Sequence, residues 1–210
     1  MKGMKIQSLA LVFVLLAAAP GLTAPKKKEK PAKQTIWQRI LRLKEQEPPR
    51  TVRGDICVVS PRQNGVIWHD RPIFVWQGKA TQVNLYREDA PLKPIWSSAV
   101  KKDQTSVSYD GSPLRPGIYI WKVGGKGTPA PSYFEVMGGA DRDTMNGKLQ
   151  PIQQKSLSAQ AKVLARLDLW MQNELLSDAV MELYATSGIM PELETLRKEF
   201  VQLDCKTSQP

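Results

Sequence analysis

Histidine and cysteine are scarce in this sequence, which holds one His and two Cys in 210 residues. The two cysteines do not form a Cys-x-x-Cys pair, so the ligand spacing of a structural zinc site is absent. No Ser or Cys has a base at a recognisable spacing, and no phosphate-binding glycine motif occurs. The sequence therefore predicts no catalytic residues, no metal and no cofactor, and it favours a protein that is not an enzyme.

Net positive charge is also scarce outside the N-terminal part of the chain. The formal net charge is +10, of which Lys2 and Lys5 contribute two units. Residues 25–53 contain ten Lys or Arg and three Glu, so they contribute +7 and leave only +1 for residues 54–210. A nucleic-acid groove needs a basic patch on the folded part of the protein. We therefore expect no nucleic-acid partner.

Residues 1–24 resemble a secretory signal peptide, because two lysines precede an apolar run at positions 9–19. The run is too short for an ordinary membrane-spanning helix. Pro20 and Pro25 hinder cleavage directly before them, whereas a cut after Gly21 is workable. The segment predicts a periplasmic or otherwise exported protein, and retention of the uncleaved segment as a membrane anchor is the alternative.

If the protein is exported, its two cysteines can form a disulfide, because an oxidising compartment allows such bonds to form and persist. Cys57 and Cys205 are an even pair, which favours a bridge that encloses nearly the whole mature chain. Two unpaired thiols, with Cys57 buried in a strand, are the alternative.

Residues 25–50 read as a basic linker that contains a short amphipathic helix at 34–47. Ile36, Ile40 and Leu43 recur at helical spacing on one face of that helix. A basic amphipathic helix can lie on an anionic membrane or wall surface, but it can equally dock on the domain that follows. The candidate surface contacts are Lys26, Lys27, Lys28, Trp37, Arg39 and Arg42.

Residues 51–137 have the pattern of an antiparallel β-sandwich, with short β-prone segments separated by turn residues. Strands are predicted at 56–60, in two pieces within 66–76, and at 83–86, 95–100, 105–109, 118–123 and 132–137. Four tryptophans are available for one small core, namely Trp68, Trp76, Trp96 and Trp121.

The segment around Gly117, Tyr119 and Trp121 defines the predicted fold. A Pro-Gly corner leads into a strand on which Tyr119 and Trp121 share one face. A tyrosine directly after such a corner resembles the tyrosine corner of immunoglobulin and fibronectin type III domains, whose hydroxyl bonds back to the corner backbone. We therefore expect an Ig/FnIII-like sandwich.

Residues 138–207 change to helical periodicity and predict a small helical subdomain, so the fold class is α+β. A weak helix at 141–155 is expected to be interrupted by Gly147 and Pro151. Helices follow at 158–173, at 176–184 with Ser177 as its cap, and from Pro191 onward. One helical pair resembles a single tetratricopeptide-like hairpin. Such a hairpin cannot bury its own apolar face, so it should pack on the sandwich.

Four segments together carry a resemblance to a known group of proteins: RGDICVVSP, RPIFVWQG, LRPGIYIWKV and LDLWMQNELLSDAVMELY. The chain resembles, over residues 50–203, a secreted cyanobacterial family of uncharacterised function in which a sandwich is followed by a helical hairpin. These are packing motifs, so the resemblance implies architecture and compartment rather than activity. The sequence Ser-Asp-Ala-Val at 177–180 departs from the Tyr-Asp-Ala-Leu that is typical of that group.

Three hypotheses about function follow. The favoured one is a non-enzymatic envelope protein that binds a protein partner or has a structural role. The alternative is a sensor or accessory domain that binds a small ligand or glycan between the sandwich and the helices. An enzyme would need distant groups such as His69 and Asp141 to meet. A base formed by His69 with the adjacent Asp70 is conceivable, but a structural or exposed histidine is favoured.

Overall fold

The computed structural model describes residues 56–126, 130–186 and 191–206. The predicted signal segment and the basic arm, with its candidate surface contacts, lie outside these ranges. Within them, the chain has a mixed α+β structure of eight strands followed by four helices. The strands are β1 Cys57–Ser60, β2 Gly65–Ile67, β3 Ile73–Gln77, β4 Ala80–Arg87, β5 Trp96–Ala99, β6 Ser106–Ser108, β7 Gly117–Gly125 and β8 Ser132–Val136, and the helices are α1 Gly139–Gln154, α2 Ala159–Gln172, α3 Leu176–Ala185 and α4 Pro191–Lys206.

The strands form two sheets in which most neighbouring strands are antiparallel. One sheet has the order β1-β3-β6, and the other has the order β2-β8-β7-β4-β5. Strand β2 runs parallel to β8, which departs from the fully antiparallel arrangement that the sequence predicted. Every predicted strand segment coincides with a strand of the structure, because the turn residues between them mark the ends well.

The three-stranded sheet is buried on both faces. Phe74 and Trp76 of β3 lie in the core between the two sheets, whereas Val75 lies in the core shared with the helices. Successive side chains of a strand point to opposite faces, so one face of this sheet meets the five-stranded sheet and the other meets α3 and α4. This double burial explains why β3 is an uninterrupted apolar run, which is typical of strands covered on both sides.

Strand β7 is the central strand of the five-stranded sheet. Tyr119 and Trp121 point into the core between the sheets and are almost fully buried. The Tyr119 hydroxyl donates a hydrogen bond to the Arg115 carbonyl oxygen at 2.8 Å, which is the bond that the corner motif predicted. Gly117 has a φ of +139° at the start of the strand, a conformation that only glycine adopts at little cost.

Aromatic rings fill the core between the sheets. Phe74 packs against Trp121 and Trp96 with ring centroids 4.9 and 5.6 Å apart. Trp76 is also fully buried in this core. The prediction that Trp68 shares it is wrong, because Trp68 follows the end of β2 and packs against the helical core instead.

Helix α1 is continuous through Gly147 and Pro151, so the predicted interruption is wrong. Its Met145 and Leu149 are buried against the rest of the molecule. Pro151 lies in the last turn, where its missing N–H removes one bond, the one to the carbonyl of Gly147 in the preceding turn. Burial of one face therefore outweighs two residues of poor helix propensity.

Helix α3 is buried on all sides, since every residue from Leu176 to Leu183 is buried. The predicted cap at Ser177 is wrong. The N-cap residue is Leu175, and Ser177 lies inside the first turn. Its Oγ accepts a hydrogen bond from the backbone N–H of Arg62 at 3.0 Å, in the connection between β1 and β2.

A disulfide bond joins Cys57 in β1 to Cys205 in α4. Of the two alternatives that the sequence left open, the structure shows the bridge. It connects the first strand of the three-stranded sheet to the last helix, with a sequence separation of 148 residues. Because α4 also packs against β1 and β3, the bond links layers that are already in contact.

Candidate functional site

The single histidine is paired with a buried carboxylate that is distant in sequence. His69 Nδ1 lies 2.6 Å from Asp178 Oδ1. Asp178 is completely buried, whereas the His69 side chain is 27% exposed. The sequence suggested Asp70 or Asp141 as acidic partners for this histidine, but the structure brings Asp178 to it instead.

Asp178 also accepts hydrogen bonds from the main chain. The backbone N–H of Trp68 lies 3.0 and 3.1 Å from its two carboxylate oxygens, and the N–H of His69 lies 2.9 Å from Oδ1. Asp178 stands in the first turn of α3, where the positive end of the helix dipole favours an acidic side chain. The carboxylate therefore joins the start of α3 to the connection between β2 and β3.

Arg142 of α1 holds the same connection from the other side. Its Nη1 donates to the carbonyl oxygen of Trp68 at 2.7 Å, and its Nη2 lies 3.3 Å from Asp70 Oδ2. The guanidinium group also lies 5.2 Å from the centre of the Trp68 ring. Asp70 is thus bound to Arg142 rather than to His69.

Trp68 is surrounded by partners from several elements. Its Nε1 donates to Asn146 Oδ1 at 3.0 Å, and its ring lies 5.4 Å from the ring of Trp170. His69 contacts both tryptophans, with ring centroids 5.2 and 5.5 Å away. We call Trp68, His69, Arg142, Trp170 and Asp178 the seam, because they lie where the sheets meet the helices.

A further ion pair, between Arg166 and Glu182, joins α2 to α3. Arg166 donates from Nε and Nη2 to the two carboxylate oxygens of Glu182 at 3.0 and 2.6 Å. This bond raises the pKa of Arg166 above its ordinary value. Glu182 is only 7% exposed, so the guanidinium compensates for the burial of its charge.

A groove of about 320 Å³ lies beside the seam. Trp68 forms one wall, and α1 forms the other. The lining residues are Trp68, Asn146, Gly147, Leu149, Gln150 and Gln153. None of these six side chains is charged.

The seam has the parts of a general base but not of a complete catalytic site. An aspartate on Nδ1 can orient an imidazole for proton transfer at Nε2. Within residues 56–126, 130–186 and 191–206, however, the only hydrogen-bond partner of the His69 ring is Asp178. No cluster of three or more His, Cys, Asp or Glu side chains suited to a metal ion occurs in the same ranges.

The remaining residues that the sequence singled out fall into three places. Cys57 and Cys205 form the bridge described above, and Gly117, Tyr119 and Trp121 lie in β7. The surface-contact candidates from Lys26 to Arg42 lie outside the described residues. Sequence reasoning missed Asp178 and Arg142, since nothing local indicates that an acidic residue of a helical segment will meet a histidine 109 positions earlier.

Comparison with known proteins finds no family model that matches the sequence and no curated protein that is similar to it. Among the described residues, no helix has the length and apolar character needed to cross a membrane. The candidate site therefore has to be interpreted from its own geometry.

Proposed function

We propose that this protein is a non-enzymatic exported envelope protein that acts as a protein-binding or structural module. The proposal rests on the hydrogen bonds of the buried Asp178 carboxylate. Its carboxylate is occupied by the backbone N–H groups of Trp68 and His69 and by the His69 ring. A carboxylate used in this way joins α3 to the connection between β2 and β3, which supports a structural role for the His-Asp pair.

Export is the second part of the proposal. A disulfide between Cys57 and Cys205 is compatible with an oxidising compartment, where such bonds persist. This bond and the signal-like residues 1–24 together support a periplasmic or otherwise exported location. Mass spectrometry after thiol alkylation of the cell-derived protein measures the state of both cysteines. Two alkylated cysteines in freshly lysed cells would contradict export.

The fold is the third part. We infer an Ig/FnIII-like sandwich with an appended helical hairpin, as in the secreted cyanobacterial family that the sequence resembles. Support comes from the hydrogen bond of Tyr119 to Arg115 and from the two-sheet strand order. The tetratricopeptide-like interpretation is supported only by the contact between α2 and α3, which are joined by a short connection.

The basic arm at residues 25–50 provides the attachment in this proposal. The strong charge of residues 25–53 contrasts with the near-neutral remainder, so attraction to an anionic membrane or wall should depend on the arm. Such attraction between exposed charges is screened by salt. The unknown protein partner would then be bound by the folded body at that surface.

Co-sedimentation tests the attachment directly. The protein is mixed with anionic liposomes or isolated wall material at low and high salt. Replacement of Lys26, Lys27 and Lys28 by Gln should release it, whereas the control replacement of Lys79, Lys101 and Lys102 by Gln, which removes the same charge from the body, should not. If both triple variants sediment like the wild type, the arm is not the attachment.

A further inference from the structure

The groove beside the seam is a preformed surface with one aromatic wall. Trp68 cannot swing freely, because its Nε1 is bonded to Asn146 and its ring is flanked by Arg142 and Trp170. A binding site whose walls are already fixed loses less conformational entropy when a ligand enters. The volume of about 320 Å³ is at the lower end of the range for small-molecule sites.

The opposite wall is a row of amide side chains. Asn146, Gln150 and Gln153 are four and three residues apart on α1, a spacing that places them on one helical face. In the described part of the chain, Gln150 and Gln153 make no side-chain hydrogen bond, and the Asn146 amide nitrogen makes none either. Each amide offers both donors and acceptors, so this row can pair with groups of either kind.

One of the lining residues is a glycine with open space beside it. A Cβ atom added to Gly147 would meet nothing within 4 Å. Leu149 beneath this part of α1 is 2% exposed and belongs to the core shared with the other helices. The groove therefore combines free space, one indole and three neutral amides.

We propose that this groove binds a neutral saccharide. The amides match hydroxyl groups, which also donate and accept, and the indole matches the apolar C–H surface of a sugar ring. A charged ligand would be poorly matched, since no lining residue carries a charge to pair with it. This inference goes beyond the proposed function and does not depend on the basic arm.

The test is an NMR titration of the disulfide-bonded full-length protein. The probes are maltotetraose, cellotetraose and chitotetraose, each added up to about 10 mM. We follow the indole N–H of Trp68 and the side-chain amides of Asn146, Gln150 and Gln153. The proposal expects saturable shifts of these signals with at least one of the three sugars.

Two variants locate the binding. Gly147→Leu fills the groove and should weaken the affinity at least about tenfold, without loss of folding because the added side chain has room. Gln154→Leu, which changes an exposed position of α1 outside the groove, should bind like the wild type. Thermal unfolding of both variants verifies that they are folded.

Three results would overturn the inference. The first is the absence of saturable shifts with all three sugars, and the second is binding that survives in Gly147→Leu. The third is saturation of the same signals by acetyl-tetraglycine amide but by none of the sugars, which would identify a peptide groove. None of these results bears on co-sedimentation, so the two proposals fail separately.

Discussion

Replacement of Asp178 by Ala removes the acceptor that joins α3 to the connection between β2 and β3. Three donors lose their partner, namely the backbone N–H groups of Trp68 and His69 and the His69 ring nitrogen. No other acceptor is close to these groups in the described contacts, and Asp178 itself is fully buried. The donors would be left unsatisfied or would need water to enter the seam.

The expected loss of stability follows from these three bonds. A hydrogen bond to a charged group contributes roughly 1.5–3 kcal/mol, and His69 is partly exposed, so the lower part of that range applies. Alanine improves helix propensity by up to about 0.7 kcal/mol, while the lost charge at the helix N-terminus costs about as much. We expect Asp178→Ala to lower the free energy of unfolding by about 4 kcal/mol. This corresponds to a fall of about 10 °C in Tm.

Urea denaturation of the oxidised protein, followed by near-UV circular dichroism, measures this change. Asp178→Asn retains one oxygen acceptor and should cost about half as much, roughly 2 kcal/mol. Asp143→Ala, at an exposed position on α1, is the control and should stay within about 0.5 kcal/mol of the wild type. If Asp178→Ala costs less than about 1 kcal/mol, the carboxylate does not hold the seam and the structural reading of the His-Asp pair is refuted.

Three further predictions concern other parts of the molecule. Double replacement of Cys57 and Cys205 by Ala should lower the free energy of unfolding by about 5 kcal/mol in the chain-entropy model, because the bond spans 148 residues; an unchanged urea midpoint would contradict this. Gly147→Ala should raise stability by roughly 0.5–1 kcal/mol, since a Cβ there meets nothing, and a lower Tm would show that the site is not open. Burial raises the pKa of Tyr184, so its protonated form is favoured in the folded state. The stability that this contributes is complete below about pH 10 and is lost as the pH rises through the folded pKa. Urea midpoints of wild type and Tyr184→Phe should therefore diverge as the pH rises above about 10, and a constant difference would rule out this titration.

Local patterns in the sequence were sufficient for most of the secondary structure. The alternation of Tyr119 and Trp121 after a Pro-Gly corner located the central strand of the larger sheet. Turn residues separated the strands correctly, because glycine and proline act on the backbone at their own positions. The interruption expected at Gly147 was wrong, because there the local preference of one residue is weaker than the packing of the helix. Propensity is a local preference of less than about 1 kcal/mol, and burial of one face of α1 overrides it.

The candidate site depended on contacts that no local pattern contains. His69 and Asp70 are neighbours in sequence, yet Asp70 binds Arg142 and His69 binds Asp178. Helix propensity predicts where a helix forms, and hydrophobic periodicity predicts which of its faces is buried. Neither predicts which polar group of a distant segment a side chain on that face will contact. The groove beside Trp68 likewise exists only because α1 passes next to the end of β2.

The sequence by itself determined the strands, most of the helices and the Pro-Gly corner before Tyr119, because each depends on neighbours within a few positions. It also limited the disulfide to one pair, since the chain has only two cysteines. The tertiary structure alone decided the parallel pairing of β2 with β8, the burial of α3 on all sides and the partner of His69. These features arise from packing between distant segments, where shape, burial and the need to satisfy polar groups select one arrangement from the many that local preferences allow.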